Sequence, residues 1–212
     1  MKPLKIIEQV TKKIAPGRTP LFTEAHVIKA LEEIEGQEQV GRIKLSKTLR
    51  LGEGTTRTLI KHLKKENLIK ISKSGIELTE FGKRLFSTLR AEISEAIEIP
   101  SSPLTVGDFN IALLVRNAGS AVKYGLEQRD AAMMTGAYGA TTLVFSKNQL
   151  TMPNLAEDIF KDIPLMHNAL VSKLNPQEND VIIIGSAEDK RRAELGAKMA
   201  AFELLKSRNI QT

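Results

Sequence analysis

Between Arg42 and Leu78 the order of apolar and turn-forming residues leaves few folds open. Leu45 and Leu49 lie four apart in a short helical stretch, 42–49, and "LGEG" (51–54) then breaks the period. Over 55–66 Thr56, Leu59, Ile60 and Leu63 recur at i, i+3, i+4 and i+7, so one helical face is inward. Two short β segments, "LIKIS" (68–72) and "GIELT" (75–79), are joined by a tight "KSG" turn. Helix, turn, helix and β-hairpin is the plan of a winged helix-turn-helix, whose second helix enters the DNA major groove. Gly52 is expected to make the turn and Gly54 to cap the second helix.

The glycines also raise the question of a nucleotide site. A phosphate loop needs G-x-x-x-x-G-K-[ST], and here the glycines are two apart with no lysine after them. A dinucleotide fingerprint needs a preceding strand and a third glycine, and both are missing. Charge points elsewhere. Residues 42–73 hold ten Lys/Arg against Glu53 and Glu66, while residues 101–212 are neutral. A surplus confined to one segment is the electrostatic footprint of nucleic-acid binding. Arg57, Thr58, Lys61 and His62 are the candidates to meet base edges, with Arg57 best suited to guanine and Thr55 beside them. Lys44, Lys47, Arg50, Lys65, Lys70 and Lys73 are the candidates for phosphate contacts. No Phe, Tyr or Trp stands in 42–73 to stack single-stranded bases, which favours duplex DNA over RNA.

The stretch "GRIKLSKTLRLGEGTTRTLIKHLKKENLIKISKSGIELTEFGKRL" (41–85) resembles the DNA-binding domain of bacterial central glycolytic gene regulators and related sugar-responsive repressors. Thr56 stands where that pattern has Val, and Asn67 where it has Gly; Asn tolerates the left-handed cap. The resemblance implies a winged-helix regulator and names no operator.

Flanking elements complete this half. A helix is expected over 2–14, with Ile6, Val10 and Ile14 on one face, then a break at "APGRTP" (15–20). Thr23 is the N-cap expected for a helix over 24–35, and Thr79 for a long helix over 79–97 with Phe81, Leu85, Leu89 and Ile93 inward. The stripes of the first and last helices would form either a dimer seam or part of the chain's own core. Pro100 and Pro103 flank two serines in "IPSSPLT" (99–105), which places the boundary between a domain at 1–99 and one at 104–212.

The second half reads β-α-β-β-α-β-α: a strand at 108–116, a helix over 124–135, a hairpin over 139–153 turning at Lys147–Asn148, a helix over 156–174 interrupted near Pro164, a strand at 179–186 and a helix over 186–206. For that helix Ser186 and Asp189 have capping-box spacing. The expected fold class is α+β: a winged helix-turn-helix, then a two-layer domain of split-βαβ type with a four-stranded, mostly antiparallel sheet. Arg116, Asn117, Gln128, Arg129, Asp130, Gly136 and Gly139 are candidate ligand-binding residues, the two glycines letting a ligand approach the backbone. Turn and cap roles explain the glycines as well. "EQRDAAMMTGAYGATTLVF" (127–145) resembles an archaeal family in which a winged helix precedes a domain of unknown function, which implies a regulator and no specific ligand.

The chain has no cysteine, and its three histidines, His26, His62 and His167, form no ligand spacing, so no metal or other cofactor is expected. No nucleophile, base and orienting group stand together, so an enzyme is not expected. No apolar run reaches the roughly 18 residues of a membrane span. The expectation is a cytoplasmic, homodimeric transcription regulator whose partner is double-stranded DNA, with a C-terminal domain for dimerisation or for sensing a small-molecule effector. A protein- or RNA-binding assembly module, and an enzyme with its site around Arg129 and Asp130, are the alternatives.

Overall fold

The computed structural model describes residues 3–12, 20–37, 40–155 and 159–211. Ile14, most of the break at 15–20, and residues 156–158 lie outside them. Two compact units divide between Leu89 and Arg90.

In the first unit, α1 (Pro3–Thr11) and α2 (Glu24–Glu35) lie before the helix-turn-helix pair, α3 (Arg42–Leu49) and α4 (Glu53–Lys65). The hairpin of β1 (Ile69–Ile71) and β2 (Ile76–Leu78) follows, then α5 (Glu80–Glu92). Leu4, Ile6, Ile7 and Val10 of α1 are buried, as are Leu85 and Leu89 of α5, so these stripes serve the chain's own core rather than lying bare as a seam. Thr23 caps α2 in a box whose third-position partner is His26 instead of the usual Glu or Gln: the Thr23 backbone N–H donates to His26 Nδ1 at 3.1 Å. Burial lowers the His26 pKa to about 4, so the ring is neutral and free to accept. Thr79 caps α5, its Oγ1 accepting from the Gly82 N–H at 2.9 Å. A Cβ on Gly82 would sit 2.1 Å from the Leu68 carbonyl oxygen, so glycine lets the helix close on the wing.

The long helix expected to reach residue 97 ends at Glu92. Its backbone is taken up by the next sheet: the Arg116 N–H donates to the Glu92 carbonyl, and the Ser94 N–H to that of Leu114. Ile97–Ile99 is then a strand, β3, paired with β4 (Phe109–Val115). The expected boundary at 99–104 is displaced for the same reason. Pro100 and Pro103 belong to a loop within the second unit, pinned where Asn110 Nδ2 donates to the Gly107 carbonyl and Thr141 Oγ1 to that of Leu104.

The second unit continues with α6 (Leu126–Met133), β5 (Gly139–Ser146), β6 (Gln149–Thr151), α7 (Pro164–Leu174), β7 (Val181–Ala187) and α8 (Lys190–Gln211). The sheet has five strands, not four, in the order β3-β4-β7-β5-β6, with every pairing antiparallel. β7 is inserted antiparallel between β4 and β5, which is the split-βαβ arrangement. Lys147 and Asn148 both take positive φ, as a two-residue hairpin turn requires. One face of the sheet carries Leu114, Leu143, Ile182 and Ile184 against Met166 and Leu170 of α7. The other takes α8, which approaches so closely that a Cβ on Gly185 would lie 2.2 Å from the Ala193 carbonyl oxygen. Helices therefore cover both faces, and α7 adds a third layer to the two expected. β4 and β7 are accordingly buried along nearly their whole length. Ser186 is in β7, where its hydroxyl donates to Asn110 Oδ1 at 2.7 Å. The cap of α8 is Asp189 alone, accepting from the Arg191 and Arg192 N–H groups at 3.1 Å.

Candidate nucleic-acid interface

The turn between α3 and α4 is made by Arg50, at φ 53°, rather than by a glycine. Gly52 is the N-cap of α4, in extended conformation, and Gly54 lies inside the first turn. Ser46 Oγ donates to the Leu51 carbonyl at 2.6 Å and Thr56 Oγ1 to that of Gly52 at 3.1 Å, so two hydroxyls hold the corner that sets the angle between the helices. This gives a reason for threonine at position 56: it is wholly buried and supplies a donor that valine lacks.

The inner face of α4 is Thr56, Leu59, Ile60 and Leu63, as the spacing predicts, together with His62. His62 is the correction. It is 5% exposed, its Nδ1 lies 2.6 Å from the Val10 carbonyl oxygen, and its ring meets Phe22 edge to face. It ties α4 to α1 and cannot reach a base edge. The outer face carries Arg57, Thr58, Lys61 and Lys65, all exposed, with Thr55 half-buried at its margin. Thr58 Oγ1 donates to the Gly54 carbonyl at 3.1 Å and keeps its acceptor capacity. Lys44, Lys47 and Arg50 are exposed on α3 and the turn. Lys70 and Lys73 are exposed on the wing, where Lys70 pairs with Glu77 at 3.0 Å. That lysine, with the Ser74 and Ser72 hydroxyls, holds the Glu77 carboxyl below its ordinary pKa. Gly75, at φ 140°, makes the wing turn and Asn67, at φ 57°, the left-handed end of α4.

Arg42 and Lys64 are also exposed on α3 and α4 and belong with this set. Their place in the basic run of 42–73 is the signal that points to them. Ile43 and Ile71 are exposed among these cations, an apolar element that charge counting does not reveal.

The seven candidate ligand residues of the second unit do not form one site. Arg116 and Asn117 follow β4 at the end where Val115 pairs with Val181, whereas Gly139 pairs with Ser186 at the other end of β7. That separation is about 17 Å at 3.3 Å per residue. Arg116 donates to the buried carboxylate of Asp180 at 2.8 Å, the Asn117 N–H donates to its other oxygen at 2.8 Å, and Asn179 Nδ2 donates to Asn117 Oδ1 at 2.5 Å. These bonds lock a loop and leave little for a ligand. Gln128 is buried at 2% exposure, with no partner for its Oε1. Arg129 and Asp130 pair with each other at 2.9 Å on the surface. Arg129 lies beside Gly139, whereas Gly136 lies beside Arg192. Among the described residues no cluster of His, Asp and Glu is placed to hold a metal ion, and no helix is long and apolar enough to cross a membrane.

Comparison with known proteins agrees with this division. Residues 26–93 match the model of the CggR N-terminal DNA binding domain. Residues 106–204 match a domain of unknown function, DUF4443. The chain thus joins a DNA-binding domain of the CggR type to a DUF4443 domain, and α1 lies ahead of the CggR match. No curated protein matches it. Among solved structures it is similar to a hypothetical protein from Pyrococcus horikoshii OT3, with 26% identity over 88% of this chain and 99% of that one and a TM-score of 0.67.

Proposed function

We propose that this protein is a sequence-specific, double-stranded-DNA-binding transcription regulator of the cytoplasm, not an enzyme. The observation that carries the reading is the outer face of α4. Arg57, Lys61, Lys64 and Lys65 stand exposed there and make no ion pair among the described residues, so their charge is directed at a partner. In this reading Arg57 reads guanine through a bidentate fork, Thr58 and Lys61 meet neighbouring bases, and Lys44, Lys47, Arg50, Lys65, Lys70 and Lys73 hold phosphates, joined by Arg42 and Lys64. The resemblance to sugar-responsive repressors extends the reading to a response to a small-molecule effector. Dimerisation through the C-terminal unit would set two α4 helices about 34 Å apart on a pseudo-palindrome.

Selection of bound sequences from a random duplex pool tests the assignment and yields the operator. A consensus should emerge, and affinity for it should fall steeply with salt. Recovery of no consensus, or equal binding by the Arg57→Ala, Lys61→Ala double variant, would count against it.

A further inference from the structure

Glu53 is the single carboxylate of residues 42–65, where it stands against eight Lys/Arg. It is the first residue of α4, it is exposed, and its side chain makes no hydrogen bond or ion pair among the described residues. Arg57 lies one turn on, at i+4, also exposed, and the two do not pair. A glutamate here favours the helix dipole, which accounts for its charge but not for its surroundings. Gly52 and Gly54 flank it, and a Cβ on either would meet nothing within 4 Å. Gly52 is the N-cap, a place that suits glycine. Gly54 lies within the helix at negative φ, where alanine would hold the turn better. The fold gives no reason for a missing side chain at 54, and its absence bares the turn around Glu53 to whatever approaches from outside.

The chemistry of a duplex decides what Glu53 can meet there. An ionised carboxylate only accepts hydrogen bonds, and so do phosphate oxygens, so the backbone that the neighbouring cations hold offers it nothing. The donors of the major groove are the amino groups at cytosine N4 and adenine N6. Adenine sets its N7 acceptor beside N6, against the second carboxylate oxygen, whereas cytosine has no acceptor there. Side chains at i and i+4 start about 5–6 Å apart, and base pairs rise by about 3.4 Å, so Glu53 and Arg57 reach bases within about two steps of each other.

We propose that Glu53 is a specificity-determining residue, accepting from the N4 amino group of a cytosine within about two base pairs of the guanine that Arg57 reads. The inference rests on the duplex reading above and deepens it, naming a base that the cations do not specify. Selection from a random duplex pool with the full chain should place a cytosine at that position. Glu53→Gln should move the preference from cytosine to adenine, whose N6 and N7 a carboxamide meets bidentately. Glu53→Ala, having lost a charge of the same sign as the phosphates, should bind a scrambled duplex more tightly. Its ratio of operator to scrambled affinity should fall by about tenfold in anisotropy titrations. Gly54→Gln should weaken operator binding while leaving the melting temperature unchanged. One consensus shared by wild type and Glu53→Gln, a parallel rise for operator and scrambled duplex in Glu53→Ala, or unchanged operator binding by Gly54→Gln would each overturn the assignment. The duplex reading would survive these results as long as Arg57→Ala still altered the consensus. Recovery of no consensus by the wild type would overturn both.

Discussion

α4 and α8 both carry many cations and spend them differently. On α8 five of the six cations are answered close by, Arg191 being the exception: Lys190 by Glu98, Arg192 by Glu188, Lys198 by Glu194, Lys206 by Glu203 and Arg208 by Glu92. On α4, Arg57, Lys61, Lys64 and Lys65 are left without acidic partners among the described residues. The two helices also differ in how much of their girth is used. α4 hides one stripe and shows the other, whereas 193 to 202 on α8 is almost wholly buried. A cation that the fold answers stabilises the fold or does little; a cation that it leaves unanswered is available to a polyanion. A lysine or arginine therefore means different things on the two helices.

The largest effect should fall where α8 meets the sheet. Gly185→Ala drives a Cβ into the Ala193 carbonyl, and chemical denaturation should show the second unit destabilised by about 3 kcal/mol or more. Duplex binding by the first unit should survive it, and its loss would show that the two regions are not separable in this way. Next comes the double variant Arg57→Ala, Lys61→Ala. Fluorescence anisotropy on the selected operator should show a loss of about 2–4 kcal/mol with a shallower salt slope, and no change in melting.

A third prediction concerns pH. The folded pKa of His26 is about 4 and its ordinary value 6.5, so the unfolded chain takes up the proton first as pH falls. The contribution is complete above pH 6.5, declines between 6.5 and 4, and amounts to about 3 kcal/mol. Protonation also removes the Nδ1 acceptor from the capping box of α2. Stability of the first unit against pH should lose that decline in His26→Gln, which keeps an acceptor and does not titrate.

What the sequence disclosed follows from which forces are local. The bounds of α2 and α3 are legible because a cap and an apolar stripe lie within a dozen residues. The wing turn and the left-handed Asn67 are legible because each is a property of one residue type. β3 was hidden by an ambiguity of period: Leu89, Ile93 and Ile97 continue the helical i, i+4 spacing, and only pairing with β4, distant in sequence, decides for a strand. His62 was misplaced by its chemistry, although its position three residues after the buried Leu59 already sets it on the inner side. The ligand candidates were gathered by nearness in sequence. The insertion of β7 between β4 and β5, with Arg116 and Gly139 at its opposite ends, is invisible to such a reading.

The smallest effect sharpens the comparison most. Lys206 pairs with Glu203 one turn away, both about one-third exposed, and lies near the Phe202 ring. Solvent screens such a pair, so Lys206→Gln should change stability by less than about 0.5 kcal/mol. It removes one positive charge from the chain, as Lys61→Gln on α4 also does. Nonspecific duplex binding that follows net charge alone would weaken equally in the two variants. Binding through the outer face of α4 weakens only in Lys61→Gln, because on that face the charge stands beside the phosphates and on α8 it is already matched by Glu203. Anisotropy titrations of the two single variants at one salt concentration separate these cases, and equal losses would mean that the basic surplus acts as a diffuse field without a defined face.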